Sequence, residues 1–460
     1  MNAIILSALL GVVMMFSSVF TQNKMAIRNI AIIGLLVLLA GNLLNIYTPY
    51  SFNVDSHNML RFDNFGLFFN SIAIVSTLLY VILSGSDIVK VGNYPAEYFA
   101  LLFFVLCGVT ILSSYNSLLM LFLGVEIMSI PLYILTGADK KNLKSNEASL
   151  KYFLMGAFST GIMLMGIALL YGASGNFNFE VIHDKGTIAE FGILSPLGLL
   201  LIFISLAFKV SAAPFHFWTP DVYDGAPSVF TSFMATIVKA AGFIAFIKLF
   251  SVRMTDLGPS YFIILPVVII STLLVGNITA VFQQSVKRML AYSSIAQAGF
   301  MLFALYSNND LSTEGILLYA AAYSIATIGT FGILIKMKDY TFDGYNGLAK
   351  KEPLVAATNT VFLLSLAGIP LTAGFFAKYY MLASALKNNG SSLWLVIVAV
   401  LFAAVSVYYY FRVIQAMYFK DGDAETSEIN NRFKFVLVVL AVLIILIGIN
   451  PSILFRWYYF

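Results

Sequence analysis

The chain has little of what a water-soluble protein needs at its surface. Its 460 residues include only 26 Lys+Arg and 22 Asp+Glu, so charged residues make up 10% of the sequence, whereas a soluble domain has about 25%. Apolar residues make up 60% and aromatic residues 15%. No soluble core can bury that much apolar surface, so lipid must be the solvent of this chain. The composition predicts a polytopic membrane protein.

Side chains that hold metals or redox groups are also scarce. There is one cysteine, Cys107, and there are three histidines, His57, His183 and His216. Iron–sulfur clusters need several thiolates, and haem or zinc needs clustered His or Cys ligands. No Walker-type phosphate loop occurs either. We therefore predict no cofactor and no metal in this chain. The net charge of +4 is too small and too scattered to predict nucleic acid binding.

Long apolar runs are what the sequence does contain. A membrane span needs about 20 apolar residues, and fourteen such runs are predicted, all of them helical. They lie at 1–20, 29–47, 59–83, 97–114, 116–136, 150–172, 191–217, 226–250, 260–283, 287–305, 312–336, 353–386, 391–419 and 432–457. The first lacks a basic leader and a small-residue cleavage site, so we expect it to remain as a helix. No loop is long enough for a separate domain, so residues 1–460 form one membrane domain.

Basic residues are distributed unequally between the two sets of alternate loops. The set that begins with the first loop holds Lys24, Arg28, Lys90, Lys140, Lys141, Lys144, Lys151, Lys287, Arg288, Lys336, Lys338, Lys350, Lys351, Lys420, Arg432 and Lys434. The other set holds only Arg61, Lys185, Arg253 and Lys387. Because cytoplasmic loops carry the excess of basic residues, the first set is predicted to be cytoplasmic and both termini to face outward.

Seven charged residues fall inside predicted spans: Glu126, Lys209, Lys239, Lys248, Lys378, Arg412 and Arg456. A charge at mid-membrane costs about 2.5–3.5 kcal/mol on insertion scales, so such residues usually face the bundle interior and serve a pathway. The alternative is a long side chain that reaches the membrane surface from a helix end. We assign the pathway role to the four central residues, Glu126, Lys209, Lys239 and Lys378. For Lys248, Arg412 and Arg456, each near a helix end, the alternative is favoured.

Two prolines lie inside spans that also carry a buried lysine. Pro214 follows Lys209, and Pro370 precedes Lys378. A proline frees backbone carbonyls, which a membrane tolerates only where protein or water satisfies them. Broken helices at corresponding places in two halves are typical of transporters built from inverted repeats. The prediction is a first repeat at 96–250, with helices 4–8, and a second at 260–419, with helices 9–13. Residues 1–95 form helices 1–3, and 432–457 form helix 14. A kink with only a packing role is the alternative.

The buried lysines are suited to carrying protons. Removal from water favours the neutral form of a lysine, and a nearby carboxylate favours the charged form. A movement of Glu126 relative to Lys209 would therefore switch the proton affinity of the lysine. His216 lies two turns beyond Lys209, past the proline, and is predicted to relay protons at neutral pH. The alternative is a histidine that is hydrogen-bonded within the broken helix.

Four stretches of the chain resemble a known family. LAFKVSAAPFHFWTPDVYDGAPSVFTSFMATIVKAAGF at 206–243 is similar to the signature of antiporter-like chain N of respiratory complex I, the proton-pumping NADH-quinone oxidoreductase. GVEIMSIPLYIL at 124–135, VKRMLAYSSIAQAGFM at 286–301 and LAGIPLTAGFFAKYY at 366–380 match the same family in the same order. The resemblance covers the whole chain and places it with the relatives of mitochondrial subunit 2.

The resemblance implies fourteen helices, two inverted five-helix repeats and a hydrated row of buried charges along the membrane midplane. In it Glu126 tunes Lys209, Lys239 links two half-channels, and Lys378 serves the exit side. NAD, flavin, iron–sulfur clusters and quinone are expected in partner subunits. Expected partners are other membrane-arm subunits, including the M-type antiporter-like subunit, and the lipid bilayer. The implied location is a bacterial inner membrane, with an organellar energy-transducing membrane as the alternative.

The sequence leaves two rival functions. The first is a subunit of a multi-subunit sodium/proton antiporter, which shares the ancestral fold. Lys378 and the sequence at 206–243 favour complex I. The sister subunit M resembles this chain but has a glutamate at the position of Lys378. The second rival is a passive spacer in a membrane arm. Four central charges, costing ~10–14 kcal/mol in sum, argue against a spacer.

Overall fold

The computed structural model describes residues 1–48, 52, 57–178, 192–253, 261–387 and 392–458. His183 and Lys185 lie outside these residues, and so do the side chains of Arg253 and Arg456. Throughout the described ranges the regular structure is helical, and the only β pairings are isolated bridges. The prediction of an all-helical membrane protein is confirmed.

The helices form fourteen membrane segments, numbered here in chain order. They are α1 (Asn2–Phe20), α2 (Lys24–Tyr47), α3 (Asn64–Val91), α4 (Pro95–Ser114), α5 (Leu118–Thr136), α6 (Leu143–Ser174), α7 (Leu194–Lys209 and Trp218–Gly225), α8 (Ser228–Phe233, a π turn at Met234–Val238, and Lys239–Arg253), α9 (Tyr261–Val281), α10 (Val286–Met301 and Phe303–Ser307), α11 (Asp310–Lys336), α12 (Pro353–Ala367 and Ala373–Lys387), α13 (Leu393–Phe419) and α14 (Asn431–Ile449). A short α15 (Ser452–Tyr458) follows. Within the described ranges twelve segments are long and apolar enough to cross a membrane, and α7 and α12 are each divided into shorter helices.

Several helices extend beyond the apolar runs that predicted them. The helix α2 begins at Lys24 rather than 29, α3 continues to Val91 rather than 83, and α6 begins at Leu143 rather than 150. Polar caps explain two of these beginnings, because the side chains of Asn23 and Asn142 accept backbone N–H groups of the first helical turn. Hydropathy indicates where the chain leaves the lipid, whereas these caps show where the helix begins.

The breaks in α7 and α12 occupy corresponding places in the chain. In α7 the helix ends at Lys209 and resumes at Trp218, with Pro214 between them. In α12 it ends at Ala367 and resumes at Ala373, with Pro370 between them. Each broken helix is the fourth of its block of five. Because five is odd, the second block crosses the membrane in the opposite sense to the first.

A glycine contact occurs at the same place in both blocks. A Cβ atom on Gly108 of α4 would lie 2.5 Å from the backbone nitrogen of Met128 in α5. A Cβ atom on Gly276 of α9 would lie 2.4 Å from the backbone nitrogen of Ala296 in α10. The number of residues between the glycine and its contact is the same in both pairs. When the two stretches of sequence are aligned on these pairs, Glu126 corresponds to Ser294 and Ser129 corresponds to Gln297.

The burial of its apolar residues places α11 at the centre of the described part of the molecule. All residues in the apolar window of α11 are buried, whereas most of the corresponding windows of α1, α2, α13 and α14 are not. The second-repeat helix α11 contacts α3, α8 and both halves of α12. The buried lysines of α8 and α12 therefore lie against a central helix that does not reach lipid.

Candidate functional site

Glu126 lies near the middle of α5. Its side chain is partly exposed at the surface of this chain. Its carboxylate is close enough for its charge to act on Lys209, but the hydrogen bonds of Lys209 go to other groups of α5. The structure therefore has no direct ion pair between these two described side chains.

Lys209 is the last residue of the first half of α7 and is buried. Its Nζ donates to Ser129 Oγ at 2.9 Å and to Tyr133 OH at 3.4 Å. Both acceptors follow Glu126 on α5, one and two turns later. The ammonium is thus held by two neutral hydroxyls of α5, the helix that also carries Glu126.

The break in α7 is satisfied by polar groups from its surroundings. The indole Nε1 of Trp218 donates to the carbonyl oxygen of Phe208 at 2.9 Å, and the backbone nitrogen of Ala213 donates to Thr272 Oγ1 at 2.8 Å. The Thr219 hydroxyl donates to Ser211 Oγ at 2.7 Å. Because protein groups form hydrogen bonds with the polar atoms at the break, a membrane interior tolerates this interruption of the helix.

His216 lies within the break and is buried. Its ring packs on that of Phe217, with centroids 4.4 Å apart. Its Nδ1 has no hydrogen-bond partner among the described residues. The ring also has a hydrogen bond with the backbone at Pro214, so the relay role and the alternative of a histidine hydrogen-bonded within the broken helix both stay predictions.

Lys239 begins the longer helical part of α8, directly after the π turn at Met234–Val238. It is 1% exposed. Its Nζ donates to the carbonyl oxygen and to Oγ of Ser294, each at 2.9 Å, and lies 5.9 Å from the ring centroid of Tyr223. Single π turns are frequent at functional sites. The π turn here directly precedes the lysine that bonds to Ser294.

Lys378 lies in the second half of α12 but bonds to the end of the first half. Its Nζ donates to the carbonyl oxygen of Ala367 at 2.9 Å and lies 4.7 Å from the ring centroid of Phe300. Ala367 is the last helical residue before the break. In both broken helices a lysine is therefore found at the end of the first half: Lys209 is its last residue in α7, and the Lys378 ammonium bonds to its last residue in α12. Lys209 precedes its proline, whereas Lys378 follows its own.

Neutral polar residues occupy the space between Lys239 and Lys378. Gln297 of α10 donates to the carbonyl oxygen of Leu366 at 2.9 Å and to Tyr410 OH at 3.2 Å, and it accepts a hydrogen bond from Tyr319. A cavity of about 10 Å³ lies between these groups and Lys378, which is about the volume that one water molecule needs. Gln297 was not predicted from the sequence, where the candidate relay residues were charged residues and one histidine. The feature that distinguishes it in the sequence is an uncharged polar side chain deep in an apolar helix.

Two of the three charges near helix ends have partners at the ends of other helices. Lys248 donates to Asp63, before α3, at 2.9 Å and to the carbonyl oxygen of Ser113 in α4 at 2.8 Å. Arg412 donates to the carbonyl oxygen of Val281, the last residue of α9, at 2.6 Å. The membrane-surface role of these residues stays a prediction.

A buried ion pair that was not predicted from the sequence joins α3 to α11. Lys336 Nζ lies 2.7 Å and 2.8 Å from the two carboxylate oxygens of Asp87, and only 6% and 10% of the two side chains are exposed. Both residues lie near helix ends, where a charge is unremarkable in sequence. Lys336 had therefore been counted with the loop residues.

The geometry defines a class of protein. Fourteen segments, two broken helices and a buried lysine at each break are the features of a membrane transporter of the antiporter type. Residues 115–406 match the family model described as "NADH:quinone oxidoreductase/Mrp antiporter, TM".

Curated relatives make the family more specific. The chain is 40% identical over 465 residues to NADH-quinone oxidoreductase subunit N of Cytophaga hutchinsonii, which covers 99% of both chains. A chain of respiratory complex I from Thermus thermophilus with bound aureothin has a TM-score of 0.83 at 30% identity and covers 98% of this chain and 97% of its own. The protein belongs to the family of NADH-quinone oxidoreductase subunit N. It is a multi-pass protein of the bacterial inner membrane.

The Mrp complex from Dietzia sp. DQ12-45-1b shares the fold. One of its chains has a TM-score of 0.84 at 19% identity and covers 99% of this chain and 96% of its own. At that identity the likeness extends to the fold alone. The resemblance noted in the sequence is therefore confirmed at the level of the subunit N family, and the antiporter complex is a structural relative.

Proposed function

We propose that this chain is a proton-translocating membrane-arm subunit of an NADH-quinone oxidoreductase. NADH oxidation and quinone reduction occur in partner subunits, and this chain moves protons through its buried glutamate and lysines. Membership of the subunit N family supports the assignment to this complex, and the arrangement of the buried lysines supports proton translocation.

The observation that carries the proposal is the position of Lys209, Lys239 and Lys378. Each is buried, and each ammonium is held by neutral oxygen atoms. A buried lysine with neutral partners exists in both protonation states within reach of ordinary pH, because burial removes much of the preference for the charged form. Three such groups, on α7, α8 and α12, form a relay that a purely structural core does not need.

We assign one role to each member of the relay. Glu126 tunes Lys209 through space, Lys239 links the two halves, and Lys378 serves the exit side. His216, with its unpartnered Nδ1, is a relay group at the break that contains Pro214. The repeats that carry these groups are residues 96–250 and 260–419, preceded by 1–95 and followed by 432–457. The matching glycine contacts at Gly108 and Gly276 support this division.

The redox chemistry belongs to other chains. In the described part of the chain no group of three or more His, Cys, Asp or Glu side chains is placed to hold a metal ion. NAD, flavin, iron–sulfur clusters and quinone are accordingly assigned to partner subunits. The partly exposed Glu126 and the apolar outer helices suit contacts with neighbouring membrane-arm subunits, including the M-type subunit, and with lipid.

A sodium/proton antiporter subunit is the second candidate, and the shared fold of the Mrp complex favours it. The two functions differ in what drives transport. Inverted membrane vesicles that contain the intact complex should become acidic inside when NADH is added, with quinone as the electron acceptor. The matched variant is Glu126→Gln, which keeps the size of the side chain and removes its charge. Sodium-driven transport without NADH, or failure of the chain to co-purify with NADH-oxidising subunits, would support the antiporter instead.

A further inference from the structure

Arg28 lies on the buried face of α2, one turn after the helix begins at Lys24. Only 4% of the residue is exposed. Its side chain crosses α3 at Gly85, where an added Cβ atom would lie 3.1 Å from Cδ of the arginine. An arginine is almost never fully buried unless it is paired. A group of opposite charge is therefore expected beside its guanidinium.

One edge of the Arg28 guanidinium has no hydrogen-bond partner. Among the described residues neither Nε nor Nη2 has one, although both atoms are buried. These two nitrogens lie side by side on the planar group, and their N–H bonds form a fork that matches two oxygens of one carboxylate or phosphate. The unpartnered edge therefore has the geometry of a site for an oxygen-bearing anion.

The carboxylate whose charge acts on Arg28 is already bonded to other groups. Asp87 is close enough to Arg28 for an electrostatic effect, but its two oxygens accept from Lys336 at 2.8 Å and 2.7 Å. One of these oxygens also accepts from Lys90 at 3.3 Å. Asp87 gives Nε and Nη2 of Arg28 no hydrogen bond. A single carboxylate thus serves two lysines and leaves the fork of the arginine without a partner.

Further positive charge lies near this fork. Arg432, at the beginning of α14, is exposed and is close enough to Arg28 for the two charges to repel each other. Lys24 is exposed as well, and its Nζ donates to a neutral acceptor, the carbonyl oxygen of Val89, at 3.2 Å. The ends of α2, α3 and α14 therefore carry an excess of positive charge, on the side that is predicted to be cytoplasmic.

The location favours a phospholipid over a soluble anion. Arg28 directly precedes residue 29, where the predicted apolar span of α2 begins. The outer face of the same helix is apolar on both sides of this level, with Met25 48% and Ile33 60% exposed at the surface of this chain. Basic pockets between transmembrane helices on the cytoplasmic side are typical sites for anionic lipid head groups. A lipid would place its phosphate at the level of Arg28 and its acyl chains along α2.

We propose that the fork of Arg28, together with Arg432 and Lys24, binds the phosphate of an anionic phospholipid from the cytoplasmic leaflet. Because the fork is covered in this chain, the head group displaces the exposed side chain of Arg432, which the guanidinium repels, and the phosphate then bonds to both arginines. The lipid supplies the missing negative charge and joins α2 and α3 to α14. The inference goes beyond the proposed function and does not depend on it, because none of these helices carries a group of the proton relay.

A photoreactive lipid tests the site directly. The complete complex is reconstituted into phosphatidylcholine vesicles that contain a trace of phosphatidylglycerol or of phosphatidylcholine, each with the same diazirine near the head group. Mass spectrometry then identifies the labelled peptides of this chain. Label from phosphatidylglycerol should appear at the beginning of α2 or α14 and exceed label from phosphatidylcholine several-fold. Arg28→Gln should remove that excess. The matched control Lys141→Gln, which takes the same charge from an exposed loop residue before α6, should keep it.

Several labelling results would overturn the proposal. Equal labelling by the two lipids would show a lipid surface without preference for the anionic head group. Loss of the excess on addition of inorganic phosphate would show that the fork binds a soluble anion. Absence of label in the complete complex, or an excess that Arg28→Gln leaves unchanged, would show that another group, such as a carboxylate of a neighbouring subunit, is the partner of Arg28.

Thermal stability separates a lipid site from a purely structural arginine. The parent complex should unfold at a higher temperature in vesicles that contain phosphatidylglycerol than in phosphatidylcholine alone. Arg28→Met removes an uncompensated buried charge, so in phosphatidylcholine this variant should be at least as stable as the parent. Its gain from phosphatidylglycerol should be smaller than the gain of the parent and of Lys141→Gln. An equal gain, or instability of Arg28→Met in both lipids, would overturn the site.

Discussion

The ammonium of Lys209 bonds to the hydroxyl of Ser129, 2.9 Å away, and not to the carboxylate of Glu126 one turn earlier on the same helix. A direct ion pair would hold the lysine charged in all states. The tuning that we propose for Glu126 would therefore act on Lys209 through space, without fixing the protonation state of the lysine.

Removal of the tuning charge should impair transport more than assembly. We expect Glu126→Gln to lower proton pumping several-fold while the amount of assembled complex stays near that of the parent, because no hydrogen bond of Lys209 is lost. Glu126→Asp should retain part of the activity. Vesicle acidification at matched complex levels measures this. Normal pumping by the Gln variant would show that the carboxylate does not tune the lysine.

The second prediction separates charge from proton exchange at Lys209. Lys209→Ala removes the titratable group together with its insertion cost of about 2.5–3.5 kcal/mol, so the complex should assemble at least as well but pump poorly. Lys209→Arg keeps a charge that is effectively never released. The Arg variant should be nearly as impaired as the Ala variant in NADH-driven acidification of inverted vesicles. Full pumping by Lys209→Arg would remove Lys209 from the relay.

The third prediction concerns orientation. The unequal distribution of basic residues predicts that both termini lie outside and that the 337–352 loop lies in the cytoplasm. A cysteine at Asn2 and one at Lys338, each in a Cys107→Ser background, should therefore react with a membrane-impermeant reagent from opposite sides. Right-side-out and inverted vesicles give the two measurements. Reaction of both from one side would contradict the number of crossings.

The fourth prediction concerns the buried ion pair of Asp87 and Lys336. Removal of one partner leaves an uncompensated charge, which costs about 3–5 kcal/mol in buried pairs. Asp87→Asn should therefore lower the thermal stability of the complex or the amount of this chain in it. The double variant Asp87→Asn with Lys336→Met should recover much of the loss.

The matched control for that pair is the exposed ion pair of Lys350 and Asp421, 2.6 Å apart. The Lys350 ammonium holds the pKa of the Asp421 carboxyl below its usual range, but water screens the pair. Asp421→Asn should leave stability unchanged. A loss equal to that of Asp87→Asn would mean that burial does not set the cost.

The sequence predicted the crossings and the broken helices because both depend on local composition. Apolar length indicates a span, and Pro214 and Pro370 indicate where a helix cannot continue. Burial of Lys209, Lys239 and Lys378 also followed, because the cost of a central charge leaves few other places for it. These are properties that a residue has within its own helix.

What the sequence could not predict depends on contacts between distant helices. Gln297, Tyr323 and Ser294 differ in no local way from other polar residues of apolar helices, and only packing shows which of them meet a lysine. The same is true of Asp87, whose partner Lys336 lies far away along the chain. Helix extension beyond lipid, as at Val91, was missed because hydropathy carries no information about structure in water.

The glycine contacts between α4 and α5 and between α9 and α10 restrict how the machine can move. At Gly108 and Gly276 the backbones of the two helices touch, with no side chain between them to change rotamer or slide. We therefore expect each pair of helices to move as one body. A displacement of α5 at Glu126 would then carry α4 with it, relative to Lys209 in α7.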